Sequence, residues 1–478
     1  MKPSVKMANN LGNHAAWRQG GRNSGGAVWC TDNMSDFAFG TPTSNNNAGA
    51  KTGTGFFTIE FWFRSSIQDT SSPATSYNFD NFFGFGMGDY VATGSTGRVG
   101  WYLDRNRPSV QTIGLTGNPY MNPDASNGTN NNGRCFLANT WYHCAIVCDG
   151  STSHYIRLYI NGYFYNFLGN GTVPSGLTWG QPSSVQIGCQ GSGWNSGQLD
   201  WDDFRVYKGV ALYGVYTDAS ASPTGSATGT YIGTSASVTG GALASGYTLP
   251  VRGAPLKSTY ESYCVLDVGF DNQLVDRTGR HQLSRRPIVL NGTYDSNAQT
   301  VSYTGSSATG NTITVSSTAN MFGYDAIKFS TSFGGITAGT IYYINTIPSA
   351  TTITISATFA GTVKTMTTAS SSGTATFADY VNSMTITGSS GSTLTVTGTW
   401  NNPWSGGPCY IAGTVGSITE GWYYLTSAPT GSSSFSVATL TGGTALTAGT
   451  TSALSVPVYY GPGVGQYANN RNQFISET

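Results

Sequence analysis

The stretch Trp141–Phe167, WYHCAIVCDGSTSHYIRLYINGYFYNF, constrains this chain more than any other part of it. In its second half Ile156, Leu158 and Ile160 alternate with Tyr155, Arg157 and Tyr159, giving one apolar and one mixed face at the two-residue period of a strand. Asn161-Gly162 then supplies the two positive-φ residues that a tight type I′ turn requires. With those two residues as the loop, Ile160 faces Tyr163, Leu158 faces Tyr165 and Ile156 faces Phe167. All three pairs share one side, an aliphatic row against an aromatic row. Such a row is an inner face, and it requires a second sheet to cover it.

Strand signals come densely from Ala27 to Tyr216. Phe57, Ile59, Phe61 and Phe63 alternate with Thr58, Glu60, Trp62 and Arg64. Asn81–Gly88 and Gly100–Leu103 read as strands with glycine kinks, Val185–Gly188 follows a turn, and Gln198–Tyr207 points Phe204 and Val206 inward. No convincing helix is present. Charged residues make up 9% of the 478, against about 25% in ordinary soluble proteins, and the net charge is zero. That balance leaves no electrostatic footprint for nucleic acid and no polybasic patch for membranes. Disorder would suit the 64 glycines, but the 13% aromatic content argues against it.

The seven cysteines are scattered and include no C-x-x-C pair. Cys144 and Cys148 share a strand face about 13 Å apart, too far for a disulfide, so buried free thiols in a reducing cytosol are expected. No apolar run follows Lys2 and Lys6, and no stretch is apolar enough to span a bilayer, so neither export nor membrane insertion is expected.

The strings Phe57–Phe63 (FTIEFWF), Thr140–His143 (TWYH), Leu158–Gly162 (LYING) and Asp202–Tyr207 (DDFRVY), in that order, resemble the LamG-like, concanavalin A-like jelly roll. The longer string Asp202–Tyr213 is most similar to LamG-type domains in virion proteins of tailed bacteriophages. The resemblance implies a sandwich over residues 27–216. It says little about activity, because the same fold carries lectins, hydrolases and structural modules.

Residues 1–26 read as an extended arm that a partner would hold in place. Residues 217–296 combine a Ser/Thr/Gly-rich linker with the block Tyr263–Asp271 and Val275–His281, which resembles the opening strands of a LamG-like domain. That block either completes the first sandwich or bridges two domains. From 297 to 456 a repeat with an offset of roughly 81–82 residues appears. Asn311–Val315 recurs as Ser392–Val396, and Gly335–Gly339 as Ser417–Gly421. Two small β modules, 297–378 and 379–456, are expected, with a C-terminal tail at 457–478 as a further assembly contact.

Retaining glycoside hydrolases on this fold carry an E-x-D-x-x-E strand motif, which is absent here. Asp200 and Asp202 alternate onto one strand face, with Asp203 beside them. Their spacing permits a cation or a catalytic pair. The resemblance makes them framework residues that tie down neighbouring backbone, and it leaves calcium open. His14, His143, His154 and His281 show no metal-ligand spacing, and His143 reads as a core or edge histidine. No cofactor is implied.

The binding candidate is aromatic. Trp194 and Asn195 lie in GSGWNSG, where an indole beside Asn and Ser suits a sugar ring, a protein interface, or packing back on the sandwich. Trp101 and Tyr102 form a second candidate. The expectation is an all-β, non-enzymatic virion structural protein on the particle surface, as tail fibre, spike or capsid decoration, assembled in the host cytoplasm. Its expected partners are other virion proteins, further copies of itself (a trimer in a fibre) and a host surface glycan. The alternatives are a stand-alone lectin and a glycan hydrolase.

Overall fold

The computed structural model describes residues 15–18, 28–42, 52–66, 82–87, 96–104, 107–113, 136 and 138–149, 156–168, 177–182, 184–188, 195–196, 199–213, 247–253, 259–270, 274–285, and 287–461 apart from 297, 319–320, 322, 360, 399, 401–404, 430–432 and 441, together with 464 and 475–476. Strands dominate these residues, interrupted by short 3-10 turns at Met34–Phe37, Glu261–Tyr263 and Thr309–Asn311.

Two eight-stranded sheets form the N-terminal sandwich. The first runs Ile475–Ser476, Ala15–Arg18, Leu199–Val210, Thr52–Ser65, Trp141–Cys148, Ile156–Ile160, Tyr163–Leu168, with Cys264–Val268 also paired to Leu199–Val210. The second runs Thr178–Trp179, Thr96–Asp104, Phe82–Met87, Val185–Ile187, Val28–Cys30, Leu283–Arg285, with Asn195–Ser196 and Arg107–Ile113 attached to it. Strand alternation decides what lies between them. Phe57, Ile59, Phe61, Phe63, Cys144, Ile146, Ile156, Leu158, Ile160, Phe204 and Val206 meet Val28, Val99, Trp101, Val185 and Ile187 in one apolar core.

The hairpin turn has the expected geometry, with φ of 50° at Asn161 and 81° at Gly162, and Ile160 opposite Tyr163. The register beyond it differs from the sequence expectation. A β-bulge shifts the pairing between Leu158 and Tyr159, so Leu158 lies opposite Asn166 and Ile156 opposite Leu168. Tyr165 is the extra residue of that bulge, and a uniform two-residue period cannot foresee it.

The mixed face of this sheet is covered as well. Ala145, Val147, Tyr159 and Tyr207 pack beneath Val210–Tyr213, Tyr247 and Cys264 in a second apolar layer. The block after residue 262 therefore completes the first sandwich: Cys264–Val268 pairs with Leu199–Val210, and Leu283–Arg285 pairs with Val28–Cys30. Residues 247–253 form a strap across the hairpin, and Leu249 sits so close to Gly162 that a Cβ there would lie 2.7 Å from Leu249 Cδ1.

The N-terminal arm enters the same sheet at Ala15–Arg18, where Trp17 pairs with Trp201 and Arg18 with Asp200. The edge it occupies has a local cause. Asp203 has φ of 46°, and pairing with Cys264–Val268 starts only at Phe204, so the backbone of Asp200 and Trp201 is left for another strand. Ile475–Ser476 then pairs with the arm, bringing the two ends of the described chain together.

Beyond residue 287 a 14-stranded sheet is built around the 22-residue strand Ala369–Ser390. Its first part pairs with Gln299–Ser307 and Ala326–Phe329, its last part with Thr393–Thr397 and Val456–Tyr460. Ile288–Leu290 joins its centre in parallel at Asp379–Val381. Separate apolar clusters gather around Ile313, Phe329 and Ile353 on one side and Leu394, Ile411 and Val437 on the other. The bridge Phe333–Ile336 stands in the first, and Val415–Ile418 in the second.

Candidate functional site

The acidic cluster singled out in the sequence lies on Leu199–Val210, and each carboxylate meets an arginine. Asp200 Oδ2 accepts from Arg64 Nε at 2.9 Å. Asp202 Oδ2 lies 3.3 Å from Arg252 Nη1, and its other oxygen accepts the Asp203 N–H. Asp203 Oδ1 meets Arg205 Nη2 at 3.1 Å and Arg277 Nη1 at 3.2 Å, while its Oδ2 accepts the Gly253 N–H. Arg205, itself buried, also donates to Asp267 Oδ1 at 3.1 Å. Arg64 and Arg252 each place a guanidinium over the Trp141 ring, at 4.9 and 4.4 Å from its centroid. Charges buried this deeply persist only when compensated, and these are compensated by groups drawn from residues 64, 252, 267 and 277. The cluster ties the strap and the added strand to the sheet.

A second polar centre lies under the strap. Glu60 is fully buried and accepts from the hydroxyls of Tyr207 at 3.1 Å, Tyr213 at 2.8 Å and Tyr247 at 2.6 Å. His143 Nε2 stands 3.6 Å away, near enough for attraction and long for a hydrogen bond. Burial pushes the Glu60 carboxyl up, but His143, the Arg205 charge and the Tyr247 hydroxyl outweigh it and hold the group down to about 2. Burial first, and then the Glu60 charge, push the phenols of Tyr207, Tyr213 and Tyr247 well above their ordinary range, so they remain donors. Sequence reading placed Glu60 only as an outward position of its strand. The signal that would have found it is a glutamate on the outer face of a sheet whose other strands carry Tyr159 and Tyr207 on that face.

Among the aromatic candidates, Trp101 is a correction. It was expected at a binding surface, yet it has no exposed area and packs 4.9 Å from Phe61, 4.8 Å from Phe63 and 5.7 Å from Trp201. The cause is strand parity, which puts it on the core side together with Val99. Tyr102 is placed by its backbone in the Thr96–Asp104 strand, opposite Phe83 and Ser109. Asn195 pairs in parallel with Phe82, and Trp194 lies outside the described residues. Asn195 and Tyr102 thus lie on strands that both pair with Phe82–Met87, while Trp101 packs in the core.

His143 is buried, and the five described cysteines, Cys30, Cys144, Cys148, Cys264 and Cys409, are buried and unbonded. The histidines show no metal-ligand spacing along the chain, but the fold carries His281 to Cys30 and Asp32, with ligand atoms all within 4.8 Å of one another. No helix among the described residues is long and apolar enough to cross a membrane.

Residues 40–212 match the Concanavalin A-like lectin/glucanases superfamily. No curated protein matches the chain. Among solved structures it is similar to a native heptameric SAP-like pentraxin from Limulus polyphemus, at 15% identity over 43% of this chain and 80% of that one, with a TM-score of 0.27. Domains LG4-5 of mouse laminin alpha1 align at 8% identity over 95% and 84%, with a TM-score of 0.26. Botulinum neurotoxin type C, whose cell entry depends on interaction with two ganglioside molecules, aligns at 15% over 32% of this chain and 33% of that one, with a TM-score of 0.20. Likenesses at these scores carry no argument about activity.

Proposed function

We propose that this chain, a member of the concanavalin A-like lectin/glucanases superfamily over residues 40–212, is a non-enzymatic structural protein on the surface of a tailed-phage particle. The observation that carries the non-enzymatic reading is the commitment of its acids. Glycoside hydrolysis on such a fold needs two carboxylates facing each other across an open groove, about 5–5.5 Å apart for retention. Asp200, Asp202, Asp203 and Asp267 are each paired with arginine, and Glu60 is enclosed by three tyrosines. None of these is left to donate or take a substrate proton.

A particle-surface role is supported by two further features. The sandwich is covered on its outer face by its own strap, and Ala15–Arg18 and Ile475–Ser476 add further strands at one sheet edge. The resemblance of Asp202–Tyr213 to LamG-type domains of tailed-phage virion proteins is what suggests this context. In this reading the protein is assembled in the host cytoplasm, contacts other virion proteins and further copies of itself, and offers the loop bearing Trp194 to a host surface glycan.

Immunogold labelling and mass spectrometry of purified particles test the assignment: stoichiometric, surface-accessible protein is expected, and protein found only in the free lysate would overturn it. A glycan array with the full chain and its Trp194→Ala variant tests the ligand. Binding that Trp194→Ala abolishes is expected, and silence across host polysaccharides removes the glycan.

A further inference from the structure

We propose that Cys30, Asp32 and His281 form a binding site for a zinc-class divalent cation that staples the N-terminal strand of the second sheet to the block that closes it. Cys30 ends Val28–Cys30, Asp32 follows it, and His281 comes two residues before Leu283–Arg285, the strand paired with Val28–Cys30. Pairing Leu283 with Cys30 is what brings together ligands separated by about 250 positions of chain.

Two of the three ligand–ligand spacings match the ion, and all three lie within 4.8 Å. A tetrahedral zinc with bonds of about 2.0–2.3 Å holds its ligand atoms roughly 3.5 Å apart. Cys30 Sγ lies 3.4 Å from Asp32 Oδ1, and His281 Nδ1 lies 3.5 Å from the same oxygen. The supporting groups are also in place. His281 Nε2, buried and without a hydrogen bond, stands 3.5 Å from Asp36 Oδ2, close enough for that carboxylate to take its N–H once a metal holds Nδ1. Asp32 Oδ2 accepts the Gln282 N–H at 2.9 Å, which leaves Oδ1 facing the cluster. Asp276 Oδ2 accepts the His281 N–H at 3.0 Å, and Phe37 packs 4.9 Å from the imidazole.

Thiol and imidazole donors select zinc-class ions over calcium or magnesium, which take oxygen ligands. The Asp32 side chain is 38% exposed, so water reaches the fourth position. Metal binding replaces the Cys30 thiol proton, which leaves to solvent.

The test uses the full chain after treatment with EDTA, titrated with zinc chloride by calorimetry, with cobalt chloride by absorption, and with melting followed in both. One ion per chain, a thiolate-to-cobalt charge-transfer band and a zinc-dependent rise in Tm are expected. Cys30→Ser should lose the band, and Asp36→Asn, which leaves all three ligands in place, should weaken zinc by about 10–100-fold. If Cys30→Ser fails to fold, His281→Asn and Asp36→Asn carry the comparison against melting temperatures measured in EDTA. No cobalt–thiolate band in the unmodified chain, or an equal zinc-induced rise in Tm in all variants, overturns the site.

Discussion

Tyr247 donates its hydroxyl to the Glu60 carboxylate at 2.6 Å, joining residues 187 positions apart in one buried polar contact. Tyr247 belongs to the strap and Glu60 to the Thr52–Ser65 strand, so this hydrogen bond is one of the points at which the outer layer is pinned to the sheet. Tyr247→Phe keeps the ring and removes the hydroxyl. It should cost about 1–3 kcal/mol, read as a lower urea midpoint with an unchanged m-value. An unchanged midpoint would mean that this hydrogen bond does not help to hold the strap.

The same carboxylate predicts an acid limb of stability. Its folded pKa is lowered, so its contribution is fully present above the ordinary glutamate value of 4.5 and is lost as the pH falls toward about 2. The amount involved is on the order of 3 kcal/mol. Denaturant unfolding between pH 5 and pH 2, a range set by that linkage, should show this decline, and Glu60→Gln should flatten it.

Asp203 holds Arg205, Arg277 and the Gly253 N–H together. Asp203→Asn should therefore destabilise by about 3–5 kcal/mol, because it removes one of the carboxylate charges that compensate the buried Arg205. Hydrogen exchange should show the loss spreading to the amides of Gly253 and of Cys264–Val268, since the first bonds to Asp203 and the second pairs from Phe204 onward. Loss confined to the Leu199–Val210 strand would contradict the proposed tie.

Gly162 answers to two demands, a φ of 81° and the Leu249 side chain above it. Gly162→Ala should cost about 1–2 kcal/mol for the backbone alone, with the clash in addition. Combining it with Leu249→Ala in a double-mutant cycle should recover the clash and leave the backbone part. Strict additivity would show that the strap does not press on the turn.

Much of the sandwich was legible because strand alternation is written residue by residue. Phe57, Ile59, Phe61 and Phe63 reach the core because every second side chain must share a face, and Asn161-Gly162 turns because few other pairs accept two positive φ values. Where the period was broken, the reading failed. The bulge at Tyr165 moved the hairpin register by one. Trp101 is a different case, because unbroken strand parity places it in the core. The aspartates at 200, 202 and 203 were visible as a cluster, but their arginines were not, since Arg252 and Arg277 come from segments that the local pattern does not connect to them.

The amino-acid order alone determined that this chain forms strands, which side chains share a face, and where the central hairpin turns, because those choices depend on neighbours one to four positions away. Only the tertiary structure decided that the mixed face is roofed by Val210–Tyr213, Tyr247 and Leu249, that Ala15–Arg18 takes the open edge beside Asp200, and that Cys30, Asp32 and His281 converge. The physical reason is that periodicity names a face without naming what covers it. The entropy of closing a loop grows only slowly with its length, so a partner 50 residues away and one 250 residues away leave almost the same trace in the sequence.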